Sequence, residues 1–185
     1  MQDFIVQTLE TERLILRPLQ SSDAPCIYNH FANDAKVTEY LTWQPHANVQ
    51  ETQQTIQKWI DNQTNIFAIE LKSTHEVIGT INTAHLDERT KSCEIGYVIG
   101  RQYWNQGYMT EAFSRLLDYL FDEVGLNRVR ADCDARNKAS SAVMKKCGLR
   151  LEACKRQDVW TNAGIGDREI YAILKMDRHP HHFYS

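Results

Sequence analysis

The chain has 185 residues, of which 42% are hydrophobic and 10% aromatic, and its formal net charge is -3. This length suits a single globular domain with a sizeable core and excludes a disordered chain. Lysine and arginine are scattered, so no basic patch predicts nucleic-acid binding. No run approaches the roughly 18 apolar residues that a membrane span requires, and the N-terminus lacks a signal-peptide pattern. We expect one cytoplasmic domain over 1–185, with no membrane or direct nucleic-acid partner.

The cysteines and histidines do not predict a metal site. The five cysteines are widely spaced and form no zinc or redox motif, which predicts reduced thiols. Cys147 and Cys154 are interpreted as small buried residues. The tail 177–185 holds three histidines, but no cysteine or second acidic ligand stands beside them at fixed spacing.

The first part of the chain predicts a strand, a helix, a loop and a second helix. Alternating apolar residues over 11–19 predict the strand, and cap residues before Pro25 predict a helix that ends at about Ala32. Residues 37–46 have no clean period and are predicted as a loop that lines a cleft. A helical pattern resumes over 50–63.

The middle of the chain predicts an antiparallel meander. Extended runs over 66–71 and 77–86 are joined by a short polar segment, as in a hairpin, and a third run covers 94–99. A helical pattern then begins near Thr110 and ends at Gly125, which suits a C-terminal cap.

The last third predicts a strand, a helix and two further strands. The strand covers 128–133 and the helix 138–147. The final strands cover 151–159 and 169–175, with a glycine-rich turn over 161–167 between them. The whole pattern indicates one α+β domain with a mixed, largely antiparallel central sheet flanked by helices.

The stretch 93–119 runs from strand through loop to helix, and its loop contains Asn105 and Gly107. Free N–H groups in the first turn of a helix, together with the helix dipole, favour a phosphate group there. A nucleoside-triphosphate loop needs a Gly-Lys-Ser or Gly-Lys-Thr ending, and a dinucleotide fingerprint needs several glycines near a first strand. Neither is present. A coenzyme A pyrophosphate loop is the third interpretation, although one glycine also suits an ordinary tight turn.

A second segment favours coenzyme A. Asn137-x-x-Ser140, followed by Lys146-x-Gly148, resembles a segment of the GNAT N-acetyltransferase superfamily, and most closely its RimJ/RimL-like ribosomal-protein N-terminal acetyltransferases. Further matches are the Thr11-Glu12-Arg13-Leu14 opening, Glu94-Ile95-Gly96-Tyr97, Tyr103-Trp104, Gly107 to Ala112 and Ile170-Tyr171-Ala172. The similarity therefore runs from Thr11 to about Lys175.

The resemblance implies a GNAT fold with a splayed strand pair, acetyl-CoA as cosubstrate, and direct attack of an amine on its thioester in a ternary complex. The leading hypothesis is acetylation of the N-terminal α-amine of a protein, with ribosomal proteins as the family's example. One alternative is a small amine such as a polyamine or amino sugar. Another is a non-catalytic acyl-CoA-binding module on the same fold. By family analogy alone we expect a homodimer.

The resemblance also implies which residues bind the coenzyme. They are Tyr97, Val98, Ile99, Asn105, Gln106, Gly107, Tyr108, Met109, Thr110 and Asn137. The main chain at Val98 and Ile99 is the implied oxyanion hole. Asn137 either meets the pantetheine arm or serves simple turn geometry.

Three positions depart from the family pattern, which has a glycine, an alanine and a phenylalanine where this chain has Asn105, Met109 and Leu149. Asparagine tolerates left-handed backbone angles, so we expect the turn to survive. We expect the Met109 side chain to point away from the ligand, because main-chain N–H groups hold the phosphate. Leu149 is interpreted as a packing change.

Three side chains are candidates for proton transfer. Ser140 is either the acid that serves the departing thiolate or a hydroxyl that satisfies the start of a helix. The base is either Asp158, where this branch carries an acidic residue facing the acceptor amine, or Glu94 on the central strand. Each carboxylate is equally explained as an ordinary ion-paired side chain. Cys133 either approaches the coenzyme sulfur or is a buried strand cysteine.

Aromatic residues are candidates for the acceptor cleft. Tyr40, Trp43 and Trp160 either form its wall or pack in the core. Asp167 and Tyr171 match family positions near the end of the chain and are predicted to be structural.

Overall fold

The computed structural model describes residues 6–178, in which eight strands form one sheet in the order β1-β2-β3-β4-β5-β6-β8-β7. The strands are β1 (Leu9–Glu10), β2 (Leu14–Pro18), β3 (Ile66–Leu71), β4 (Val77–Asp87), β5 (Ser92–Ile99), β6 (Arg128–Asp134), β7 (Arg150–Thr161) and β8 (Gly164–Leu174). Neighbouring strands run antiparallel except β5 and β6, which run parallel. The predicted mixed, largely antiparallel α+β fold is confirmed.

Helices cover both faces of the sheet. They are α1 (Ala24–Ile27), α2 (Ala35–Thr38), α3 (Val49–Asp61), α4 (Tyr108–Asp118), α5 (Lys138–Lys146) and α6 (Lys175–Arg178). The larger core cluster packs α4 and α5 against the sheet, and a smaller one packs α1 and α3. This arrangement explains why every residue of β3 is buried, since a strand covered on both faces has no solvent side.

Helix α4 follows directly from its sequence pattern. Its buried residues are Met109, Ala112, Phe113, Leu116 and Leu117, which recur every three or four positions. The helix continues through a π-helical turn, and Gly125 follows with a φ of 81°. Only glycine adopts this backbone angle without a Cβ penalty, so the predicted C-terminal stop is confirmed.

The meander β3-β4-β5 is confirmed, but some predicted boundaries were wrong. The turn predicted over 161–167 is only the two residues Asn162 and Ala163, because Thr161 pairs with Gly164 and β8 begins there. The loop predicted over 37–46 starts inside α2. Residues 179–185, which hold the histidines of the tail, lie outside the described residues.

The prediction for the cysteines was partly wrong. Cys147 is buried, as expected, but Cys154 is exposed. Its strand, β7, forms the edge of the sheet and is exposed along most of its length. A side chain on this strand is therefore not covered by another element.

Candidate active site

The sheet opens between β5 and β6. The two strands pair at only three positions, the last being Glu94 with Arg130. Beyond this point the main-chain groups of β5 that point toward β6 have no ladder partner on it. A slot of this kind suits a thin, extended ligand that hydrogen-bonds to a strand edge.

A tyrosine and a serine lie across this opening. The Tyr97 hydroxyl donates to the Ser140 carbonyl at 2.9 Å and lies 2.7 Å from Ser140 Oγ. Burial raises the pKa of Tyr97, so its hydroxyl is protonated at neutral pH. The two predicted site residues are thus in direct contact. Burial, followed by the charge of Glu169, raises the pKa of nearby Cys133 to about 12, which makes that thiol a poor nucleophile.

Asn137 caps the helix that carries Ser140. Asn137 Oδ1 accepts a hydrogen bond from the Ser140 main-chain N–H at 3.1 Å, as an N-cap residue does at the start of α5. This geometry explains the Asn-x-x-Ser spacing. The cap leaves the Ser140 hydroxyl directed at Tyr97.

The loop after β5 has the backbone angles that its sequence predicts. Asn105 has a φ of 60° and Gly107, the N-cap residue of α4, has a φ of 81°. Asparagine and glycine are the residues that tolerate these left-handed angles best. The Met109 side chain is buried, as expected for a residue that turns away from the ligand. Asn105, Gln106 and Gly107 are exposed, so the start of α4 is accessible to an anion.

Side chains from the loop fasten it to the end of the sheet. Trp104 Nε1 donates to the Ile99 carbonyl at 2.9 Å, and Gln106 Nε2 donates to the Gln102 carbonyl at 2.7 Å. The Tyr103 ring makes an edge contact with His30 at 5.4 Å between centroids. These contacts help to fix the shape of the loop.

Glu94 lies at the point where the strands diverge. Its Oε2 is 2.7 Å from Arg130 Nη2, and its side chain is 24% exposed. Burial raises the pKa of Glu94, and the neighbouring Asp132 carboxylate raises it further. A carboxylate with a raised pKa is a better proton acceptor near neutral pH, as a general base requires.

Asp158 has different surroundings. Its side chain is 43% exposed, and its Oδ2 lies 3.1 Å from Arg168 Nε. The same arginine donates to Asp132 Oδ2 at 3.0 Å. Arg168 therefore contacts Asp158 and also Asp132, which is the neighbour of Glu94. Glu94 itself lies inside the sheet, whereas Asp158 lies on the edge strand.

A polar bridge connects the β7–β8 hairpin with residues 38–44, which we name the 38–44 loop. Asn162 Nδ2 donates to the carbonyls of Thr38 and Trp43 at 2.9 and 2.8 Å. The Asn162 main-chain N–H donates to Leu41 O at 3.0 Å, and that of Ala163 donates to Glu39 O at 2.9 Å. Asn162 was not predicted from the sequence; an asparagine at a hairpin turn was the only signal, and its partners lie more than a hundred residues away.

The three predicted cleft aromatics have separate positions. The Tyr40 ring centroid lies 5.9 Å from Arg136 Cζ, at the end of β6. Trp43 is partly buried against the smaller core cluster, which matches its core interpretation. Trp160 is 68% exposed on the edge strand. Tyr171 is fully buried and donates to Glu169 Oε2 at 2.7 Å, in agreement with a structural role.

Residues 6–178 contain neither a metal cluster nor a membrane-spanning helix. No group of three or more histidine, cysteine, aspartate or glutamate side chains in this range could hold a metal ion. No helix within the same range is long and apolar enough to cross a membrane.

Comparison with known proteins places the chain that carries these features in a family. Residues 13–150 match the acetyltransferase (GNAT) domain family. The uncharacterized N-acetyltransferase p20 of Bacillus licheniformis is 31% identical over 176 residues, which cover 93% of this chain and 98% of p20. The ribosomal-protein-serine acetyltransferase of Escherichia coli strain K12 is 28% identical over 99 residues, 54% of this chain and 55% of that protein.

Solved structures agree with this assignment. An acetyltransferase of the GNAT family from Bacillus anthracis superposes with a TM-score of 0.82 at 27% identity, over 91% of this chain and 99% of that one. RimL, a ribosomal L7/L12 alpha-N-protein acetyltransferase in complex with coenzyme A, shares the fold with a TM-score of 0.81 at 22% identity, over 91% and 98% of the two chains.

This chain therefore belongs to the GNAT acetyltransferase family. It is an acyltransferase that uses acetyl-CoA as its cosubstrate, and its relatives include ribosomal-protein acetyltransferases. The resemblance inferred from the two short segments is confirmed.

Proposed function

We propose that this enzyme transfers the acetyl group of acetyl-CoA to the N-terminal α-amine of a protein, with ribosomal proteins as the first acceptors to test. The observation that carries the proposal is the opening between β5 and β6, beyond which the Tyr97–Ser140 contact joins β5 to the start of α5. The choice of acceptor draws support from the ribosomal-protein acetyltransferases among its relatives.

The coenzyme residues in this proposal are those that the sequence predicts. The first-turn N–H groups at Tyr108, Met109 and Thr110 would bind the diphosphate, as helix N-termini bind anions. The pantetheine arm would follow the free edge of β5 at Tyr97, Val98 and Ile99. Asn105, Gln106 and Gly107 would shape the loop, and Asn137 would position Ser140 through its cap.

The acceptor amine must lose a proton before it attacks the thioester carbon. An α-amine has a pKa near 8 and is largely protonated at pH 7. We assign this proton to Glu94, directly or through water, because its raised pKa and its position at the divergence of the strands suit a base. Both carboxylates are ion-paired, Glu94 with Arg130 and Asp158 with Arg168, but Asp158 is the weaker candidate because it is more exposed and lies on the edge strand.

The reaction forms a C–N bond and breaks the C–S bond, so the sulfur leaves with the electron pair. Ser140 would donate its hydroxyl proton toward that sulfur and regain a proton from solvent, which balances the proton that Glu94 takes from the amine. Tyr97 stays protonated and holds the serine in place. Of the main chain at Val98 and Ile99, the Ile99 N–H points to the open edge, because the following N–H, at Gly100, bonds to Ile78 O on β4. It would stabilise the negative charge that develops on the carbonyl oxygen. Ser140→Ala should lower kcat and leave CoA binding unchanged. Ser141→Ala, in the same helix turn, should leave kcat unchanged. Equal losses of kcat in the two variants would exclude Ser140 from the mechanism.

The test of the function is an acceptor panel. Thiol release from acetyl-CoA is measured with peptides that carry a free N-terminus, with N-blocked peptides that carry an internal lysine, and with a polyamine and an amino sugar. We expect turnover with the free N-terminus, and mass spectrometry should locate the acetyl group on the α-amine. Turnover with small amines alone would favour the first alternative. Tight CoA binding without turnover on any acceptor would favour the non-catalytic module.

Two expectations from the sequence complete the proposal. A homodimer is expected from family analogy, and light scattering of the purified protein would measure its mass in solution. A cytoplasmic location is expected from the sequence, and fractionation of cells that express the chain would test it.

A further inference from the structure

An arginine that precedes β2 reaches the proposed coenzyme loop. Arg13 Nη1 donates to the Gln106 carbonyl at 3.0 Å. Its Cζ lies 4.3 Å from the centroid of the Tyr108 ring. A Cβ atom built on Gly107 would lie 3.4 Å from Arg13 Nη2. One side chain thus contacts Gln106 and Tyr108 and passes beside Gly107, at the point where the loop becomes α4.

The same arginine is bonded to a carboxylate in the first turn of α4. Arg13 Nε donates to Glu111 Oε2 at 2.7 Å, and its main-chain N–H donates to Oε1 at 2.9 Å. The Thr11 hydroxyl donates to Oε1 at 2.6 Å. Burial acts to raise the pKa of Glu111, but these hydrogen bonds outweigh it and the pKa lies below its usual value. Glu111 is therefore a fixed negative charge beside the helix N-terminus.

The Glu111 carboxylate has two opposite effects at the start of α4, and Arg13 offsets the unfavourable one. A carboxylate in the first turn stabilises a helix, but it repels an anionic ligand bound at the same end. Arg13 offsets the repulsion because its guanidinium lies within hydrogen-bond distance of the carboxylate. The exposed loop also needs support, since Asn105 and Gln106 have little packing around them. The hydrogen bond from Arg13 to the Gln106 carbonyl connects the loop to the start of β2.

We propose that Arg13 is a positioning residue of the coenzyme site, which fixes the phosphate-binding loop through Gln106 and neutralises Glu111 so that a diphosphate can bind at α4. This inference rests on the proposed placement of the coenzyme at that loop. It gives the Thr11-Glu12-Arg13 segment, which joins β1 to β2, a role in ligand binding.

The test compares CoA with pantetheine, which lacks the phosphates, as ligands in calorimetry. Arg13→Gln should weaken CoA binding about tenfold, as the loss of a charged hydrogen bond would, and should leave pantetheine binding unchanged. Arg13→Lys keeps the charge and should lose less. The matched control is Lys72→Gln, because Lys72 bonds to Glu10 and to the Thr11 carbonyl at the same strand edge, 2.8 Å from each.

The double variant Arg13→Gln/Glu111→Gln separates the two parts of the role. If Arg13 offsets the Glu111 charge, the double variant should recover part of the CoA affinity; if it recovers none, the neutralisation is overturned. Thermal unfolding of each variant checks that the fold persists.

Three results would overturn the proposal. They are an unchanged CoA Kd in Arg13→Gln, an equal loss of CoA affinity in Lys72→Gln, or an equal loss of pantetheine affinity in Arg13→Gln. If the wild-type protein binds CoA but at a site that Gly107 substitution does not affect, the placement of the coenzyme fails, and this inference fails with it.

Discussion

The coenzyme half and the acceptor half of the proposed site are built differently. The coenzyme half consists of β5, the loop and the starts of α4 and α5. Its turns are set by local bonds such as Asn137 with Ser140, although Arg13 reaches the loop from 93 positions away. The acceptor half consists of the 38–44 loop and the β7–β8 hairpin, and bonds such as Asn162 to Thr38 join residues 124 positions apart. The turns of the first half are therefore set locally, and enzymes with different acceptors can share them. The second is assembled only when the whole domain folds, which suits the part that selects an acceptor.

Glu94 lies between the halves, and its substitution should have the largest effect. Glu94→Gln should lower kcat by roughly 100-fold or more, as the loss of a general base does, while the CoA Kd stays unchanged. In the wild-type enzyme the pKa of Glu94 is raised. The rate should therefore fall as pH decreases through that raised pKa, because the base becomes protonated, and the variant should lose this limb of the pH profile.

The matched control for this substitution is Asp158→Asn, which also replaces a carboxylate with its amide. Because Asp158 is exposed and paired with Arg168, we expect a loss in kcat of only about threefold, as for a surface ion pair. Steady-state rates from pH 6 to 9 distinguish the two. A larger loss in Asp158→Asn than in Glu94→Gln would reverse the assignment of the base.

The coenzyme half should respond next, through Gly107→Ala. The φ of 81° at Gly107 costs a residue with a Cβ roughly 1 kcal/mol, so the substitution should distort the loop and weaken CoA binding about fivefold. Gly125→Ala is the control, because Gly125 has the same φ of 81° and a Cβ added there would meet no heavy atom within 4 Å. Both variants should lose similar stability in urea unfolding, but only Gly107→Ala should lose CoA affinity. Equal CoA affinities in the two variants would place the diphosphate elsewhere.

The same contrast explains which parts of the site the sequence predicts. The left-handed Asn105 and the buried Met109 were predictable, because turn chemistry and helical period depend on neighbouring residues. The separate roles of Tyr97 and Ser140 came from the family resemblance, and the contact between them was not predicted. Asn162 and Arg168 were not predictable, since their partners are distant in the chain and no local pattern marks them. The prediction of a glycine-rich turn over 161–167 was wrong because Gly164 and Gly166 are strand residues. Gly166 leaves room for a neighbouring side chain, since a Cβ there would lie 2.5 Å from Asp134 Oδ2.

Asn162→Ala should have the smallest effect and should fall on the acceptor half alone. The substitution removes three side-chain hydrogen bonds, the two that Asn162 donates to Thr38 and Trp43 and the one that it accepts from Gln44, at a cost of about 1 kcal/mol each. The 38–44 loop should then loosen, and KM for the acceptor peptide should rise about threefold while kcat and the CoA Kd stay unchanged. Gln44→Ala removes one bond to the Asn162 side chain but leaves the two to Thr38 and Trp43 in place, so its KM should change less. A raised CoA Kd in Asn162→Ala would show that the bridge supports the whole site and that the two halves are not independent.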